Sequence, residues 1–136
     1  ALAGALNAGL GMEKGVGGVD AVAHRLERRV AGDGRGGLLH APLMAALVPF
    51  NMPAVGERYG ALAGAMGAAS GGAAALAERL RALAAAVGLP ATLGDGGADR
   101  SWFDALAEAA ADDPAATANP RRLSARDYHG VLEAAW

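Results

Sequence analysis

Three ionisable side chains in this chain of 136 residues are spaced for joint chemistry: Asp20, His24 and His40. Asp20 and His24 stand four residues apart, and on a helix residues i and i+4 lie on one face, a turn apart. A carboxylate and an imidazole so placed can share a metal ion or pass a proton. They can equally be a hydrogen-bonded pair on a helix face. His40 comes after a glycine-rich turn, Gly32-Asp33-Gly34-Arg35-Gly36-Gly37. Chemistry is therefore expected where the segment before this turn faces the segment after it. Arg35 could meet an anion, although a solvated arginine on a plain connector accounts for it as well. No G-x-S-x-G stretch accompanies these residues, and no Ser/His/Asp set has motif support.

The elements that must hold these groups read as helices. Residues 19–31 place Val19, Val22, Ala23, Leu26 and Val30 in steps of three and four. Four glycines in the next six residues end that helix. Residues 38–48 carry Leu38, Leu39, Leu43, Met44, Leu47 and Val48, with Pro42 in the first turns and Pro49 and Pro53 expected to close the helix. Residues 55–66 form a further stripe of Val55, Tyr59, Leu62, Ala63 and Met66. Residues 73–87 put Leu76, Leu80, Leu83 and Val87 on one face, before the Gly88-Leu89-Pro90 stop. Residues 101–111 follow Asp99 or Ser101 as N-cap and face Trp102, Leu106 and Ala109 inward. The last helix, residues 125–135, opens on a Ser124–Asp127 capping box and packs Tyr128, Val131, Leu132 and Trp136. His129, Trp102 and Trp136 fit packing roles. Residues 1–14 are helix-compatible, but their glycines call for close tertiary contact. Gly15-Val16-Gly17-Gly18 has no strand before it, so it reads as a tight packing point and not a phosphate loop.

Composition supports the same class. Apolar residues make up 53 % and aromatics 4 %, alanine dominates and isoleucine is missing. Alanine favours helices and close helix approach, so the fold class is all-α, a bundle of about six helices. The net charge of −2 argues against a nucleic-acid partner. There is no cysteine for disulfides or thiolate sites. No apolar run is long enough for a membrane span. With no basic leader at the start, a cytoplasmic location is expected.

In order and spacing these segments resemble the C-terminal helical domain of the iron-containing alcohol dehydrogenase family, which includes maleylacetate reductases and is related to dehydroquinate synthases. The likeness is carried by GLGMEKGVGGVDAVAHRL at 9–26 and GGLLHAPLMAALVPFNMPAVGERYGALAGAMG at 36–67. Gly88-Leu89-Pro90, ADDP and NPR within 111–121, and the closing LEAAW continue it. It covers essentially the whole chain.

The resemblance implies a two-domain enzyme: an N-terminal dinucleotide domain for NAD(P), and a helical domain holding iron or zinc through one aspartate and three histidines. The aspartate and first histidine belong upstream of these residues. The other two ligands align with Asp20 and Gly36, and a further histidine near the metal, with a catalytic or proton-transfer role, aligns with His24. The chain thus keeps His24 but replaces two ligand histidines. Asp20, His24 and His40, the last one turn beyond Gly36, would make a two-histidine, one-carboxylate set of a kind that suits iron. The expectation is one helical domain, residues 1–136, with a degenerate metal site and no catalysis on its own. No cofactor is expected in this chain alone; iron or zinc and NAD(P) follow from the resemblance only. Expected partners are a chain bearing the nucleotide-binding domain, a second copy in a homodimer, or a small molecule. The alternative is a repurposed helical module that takes a small apolar ligand or a protein in the old substrate cleft.

Overall fold

A computed structural model describes residues 2–13, 15–30, 37–68 and 72–136. The described residues form α1 (Leu2–Met12), α2 (Gly18–Val30), α3 (His40–Ala65), α4 (Gly72–Ala86), α5 (Phe103–Ala111) and α6 (Ala125–Ala134), with no strand among them. Short 3-10 turns, Arg100–Trp102 and Pro114–Ala118, precede and follow α5. The all-α expectation holds.

Local sequence explains several boundaries. Asp20 lies in the first turn of α2 and Arg28 and Arg29 in its last, each suited to the helix dipole there. The Asp99 carboxylate accepts from the Ser101 N–H at 2.8 Å and starts the turn that leads into α5. The capping box of α6 is complete: the Ser124 N–H donates to Asp127 at 2.9 Å and the Asp127 N–H to Ser124 Oγ at 3.2 Å.

The main core gathers Val22 and Leu26 of α2, Leu43 of α3, Phe103 and Leu106 of α5, and Tyr128 and Leu132 of α6. Burying each large apolar side chain contributes about 1.5–3 kcal/mol. A second cluster, Val48, Ala63, Ala73, Leu76 and Ala77, joins the two halves of α3 to α4. Together they hold α2 and the start of α3 face to face.

Three expectations need correction. Pro49 and Pro53 do not close a helix; α3 runs through both to Val55, whose φ −136° and ψ 23° break it. A proline's own φ suits a helix. Its cost is one missing N–H and crowding of the preceding turn, and the bend appears just beyond the second proline. The predicted face of α4 is only half right: Leu76 is buried, but Leu83 is 55 % and Val87 64 % exposed, because the buried stripe of α4 runs through Ala73, Ala77 and Ala84. Nor do the glycines of α1 meet close neighbours. None of its residues is buried, and the space around Gly4, Gly9 and Gly11 is open. Residues 31–36, with Arg35 and Gly36, lie outside the described residues.

Tyr128 is wholly buried, and its hydroxyl finds no hydrogen-bond partner among the described residues. Burial, aided by the Asp113 charge, pushes its phenol up to about 12. An unfolded tyrosine ionises near pH ~10. The folded state therefore holds the proton more tightly, and the stability tied to the neutral phenol is complete below pH ~10 and lost as pH rises towards about 12. Tyr128→Phe is expected to change neutral-pH stability by no more than about 1 kcal/mol, since no bond is lost, and to lose less stability in alkali than the parent. Urea midpoints for both proteins at neutral and alkaline pH check this; identical alkaline losses would contradict it.

Candidate functional site

The site begins at the tight start of α2. Gly18 is buried, and a Cβ there would lie 3.2 Å from both Asn119 Oδ1 and Leu123 Cδ1. Its N–H reaches Asn119 Oδ1 at 3.4 Å. Asn119 and the buried Asn51 bond reciprocally: Asn51 Nδ2 donates at 3.1 Å and Asn119 Nδ2 donates back at 2.7 Å. The Arg121 guanidinium donates to the Phe50 carbonyl and lies 4.3 Å over the Phe50 ring. The 119–121 segment thus fixes α2 and α3 relative to each other, in keeping with a structural role for Asn119-Pro120-Arg121.

That clamp brings Asp20 and His40 together. Asp20 Oδ1 lies 3.5 Å from His40 Nε2, and Asp20 Oδ2 accepts from the Gly17 N–H at 3.4 Å. The other nitrogen of His40, Nδ1, lies 3.0 Å from Glu27 Oε1. The same Glu27 oxygen accepts from the Gly37 N–H at 2.8 Å and the Leu39 N–H at 3.2 Å. Leu39, the N-cap of α3, has no side chain able to do this. Glu27 therefore supplies from α2 the cap that α3 lacks, and it fixes the imidazole that α3 presents.

His24 does not join them. Its Nδ1 donates to the Asp20 backbone carbonyl, and its Nε2 lies 3.5 Å from Asp113. Asp113 also accepts from Arg25 Nη2 at 2.9 Å and from the Ala115 N–H at 2.9 Å. Burial pushes the Asp113 carboxyl up, but the Ala115 N–H, Arg25 and His24 outweigh it, and the group lies below the usual carboxylate value. Of the three residues singled out by type and spacing, Asp20 and His40 converge while His24 belongs to a separate contact with α5's far end. His129, as a packing residue, sits edge-on to Phe103 and 3.2 Å from Asp104.

Glu27 does not stand out by residue type alone, since it sits among the basic residues of 24–29. A signal was there: Glu27 follows Asp20 by seven residues, which returns it to within about 20° of the same helix face. Asp113 carried no such signal, since its side-chain partner Arg25 lies 88 residues away in sequence.

Asp20 and His40 stand at the rim of a cavity of about 330 Å³ between α2, α3 and α4. Its walls are apolar: Met44, Leu47, Val48, Tyr59, Leu76 and Leu80. A cavity with an apolar wall and a few converging polar groups suits a small organic molecule held by its alkyl part, with an oxygen at the rim. Among the described residues no three His, Asp or Glu side chains gather closely enough to hold a metal ion. Two donors from different helices do converge, each with its second polar atom already engaged.

The chain as a whole is similar to known proteins. The model of the family described as Fe-containing alcohol dehydrogenase family, C-terminal, matches residues 1–136. The chain is 31 % identical over 140 residues to 4-hydroxybutyrate dehydrogenase from Cupriavidus necator, covering 97 % of this chain and 36 % of that protein. It is also similar to a solved structure of 1,3-propanediol oxidoreductase, with a TM-score of 0.74 and 27 % identity over 88 % of this chain and 32 % of that one. The chain thus spans about a third of the length of these relatives.

Proposed function

The chain belongs to the Fe-containing alcohol dehydrogenase family, as a C-terminal domain, and on that premise we propose that it supplies the helical wall of a metal-dependent alcohol oxidoreductase and does not oxidise an alcohol by itself. The observation that carries this reading is the meeting of Asp20 and His40 at the rim of the apolar cavity. The wall would take the alkyl part of the substrate and keep water from it. Asp20 and His40 would face its oxygen. A divalent metal, which by the family resemblance would draw ligands from upstream of these residues, would polarise that oxygen as a Lewis acid.

The altered ligand positions support the second half of the proposal. In the family resemblance, Asp20 and Gly36 stand where two metal histidines align, and this chain spans about a third of its relatives. A nucleotide-binding domain, in the same polypeptide or in another chain, would bring NAD(P). A second copy of the chain is the other partner proposed, because α1 leaves Leu2, Leu6 and Leu10 exposed. No described helix is long and apolar enough to cross a membrane, and we place the protein in the cytoplasm.

The purified chain, given NAD(P)⁺, iron(II) or zinc and either 1,3-propanediol or 4-hydroxybutyrate, is expected to show no nicotinamide reduction. Addition of a cognate nucleotide-binding domain is expected to start it. Turnover by these 136 residues alone would sink the reading. The apolar cavity also favours a second one, a module that binds a small apolar molecule without redox chemistry. Tight binding of an alkyl alcohol with no response to a nucleotide-binding domain would select it.

A further inference from the structure

We propose that the second half of α3 together with α4, residues 56–87, forms a flap that opens and closes the apolar cavity, bending at Val55 and at Gly88. The purpose of the flap rests on the reading of that cavity as the place of an alkyl group. The motion itself is read without turnover, metal or dinucleotide.

The flap and the body of the domain have separate cores. The main core draws on α2, the first half of α3, α5 and α6, and takes nothing from residues 51–92. The second cluster belongs to the flap: of its members only Val48 comes from before the bend. α4 packs against α3, and against no other described element to a comparable extent. Polar contacts divide in the same way. The Arg79 guanidinium donates to the Met66 carbonyl at 2.8 Å, inside the flap, and among the described residues no side-chain hydrogen bond or ion pair crosses from flap to body.

Both points where the flap joins the body suit bending. Pro49 and Pro53 lack the N–H groups that would tie this stretch to the carbonyls four residues back. Val55 has left helical angles, and a Cβ added to Gly56 would meet only Met52 Cγ, at 3.7 Å. At the other end Gly88 has φ +74°, which glycine adopts at no steric cost. A few residues at the ends of an element are enough to absorb a hinge rotation. Beyond Gly88 the chain is fixed again: Leu93 is fully buried, and its N–H donates to the Ala135 carbonyl at 2.8 Å.

The cavity lies on the seam between the two parts. The body gives it Met44 and Leu47, and the flap gives it Tyr59, Leu76 and Leu80. Rotation at Val55 parts these walls, while Asp20 and His40 stay on the body. Opening exposes apolar surface on both walls, so the closed form predominates in water. A molecule whose alkyl part touches both walls binds the closed form better and shifts the population towards it.

The chain has no cysteine, so introduced pairs can carry nitroxide labels for pulsed EPR distances. Arg28→Cys with Glu78→Cys spans body and flap. Arg28→Cys with Glu108→Cys lies within the body, and Glu57→Cys with Glu78→Cys within the flap. The spanning pair is expected to give a broad or two-peaked distribution and both controls a single narrow one. Butan-1-ol is expected to collapse the spanning distribution to the closed distance. Pro53→Ala with Gly56→Ala, which restores an N–H and favours helix across the bend, is expected to narrow it without alcohol, with helix content by circular dichroism retained or raised. A spanning distribution as narrow as the controls would overturn the proposal. So would equal breadth in all three pairs, or breadth that the hinge variant leaves unchanged. Two peaks that narrow in the hinge variant but ignore butan-1-ol would uphold the flap and count against the alkyl-binding reading of the cavity.

Discussion

Phe103→Ala is expected to lower the unfolding free energy by about 3–5 kcal/mol, the usual loss for a buried aromatic truncated to alanine. Phe103 opens α5 and is 1 % exposed. The Trp136 ring meets it edge-on at 5.6 Å and the His129 ring at 6.4 Å, both near perpendicular. Such pairs add about 0.5–1.5 kcal/mol beyond burial. The cavity left behind is bounded by α6, whose capping box fixes its start, and can collapse only in part. Small domains are stable by about 5–15 kcal/mol, so a large share of the total would go. Urea denaturation should show a lower midpoint with an unchanged slope. Phe103→Leu should recover most of the loss. A Phe103→Ala protein within about 1 kcal/mol of the parent would show that this core does not hold α5 to α6.

Asp113→Ala is expected to cost about 2–3 kcal/mol at neutral pH. Removing one member of a fully buried ion pair costs about 3–5 kcal/mol. Here the Arg25 side chain is 34 % exposed, so water recovers part of that. The same substitution removes the carboxylate that accepts the Ala115 N–H at the start of the Pro114–Ala118 turn. The folded carboxyl lies below its ordinary value, so the folded state binds that proton less readily than the unfolded chain. Its stabilising effect is therefore present above pH ~4, the unfolded value, and fades as pH falls through the lower folded value. The parent should lose stability in acid more steeply than the alanine variant. Parallel urea series at neutral and acid pH read both effects; matching acid slopes would contradict the assignment. Arg25 lies one turn and a residue beyond Asp20 on α2, so loosening this contact should also loosen the helix that carries the site.

Much of the fold was legible because it depends on neighbours in sequence. The alanine-rich composition, the spacing of Val22 and Leu26, the Asp99 cap and the Ser124–Asp127 box each act within one or two turns. The exceptions have physical causes. Pro49 and Pro53 were read as stops, yet a helix tolerates a proline wherever the missing bond and the crowded turn can be accommodated, and residue type alone does not reveal that. Leu83 and Val87 follow the apolar period of α4, but in an alanine-rich helix the packed stripe can run through Ala73, Ala77 and Ala84 instead, and only the neighbouring helices decide which.

By itself, the sequence determined that this chain is helical, where most of its helices begin, and that Asp20, His24 and His40 are the groups to watch. Which of them meet was decided by tertiary structure. Four residues along a helix turn it by about 40° beyond a full circle, so Asp20 and His24 share a face loosely enough for one to look towards α3 and the other towards Asp113. The crossing of α2 and α3 is set by the Asn51–Asn119 clamp and the packed core, through contacts distant in sequence. That crossing, and not spacing along the chain, gives Asp20 its partner in His40 and makes Glu27 part of the site.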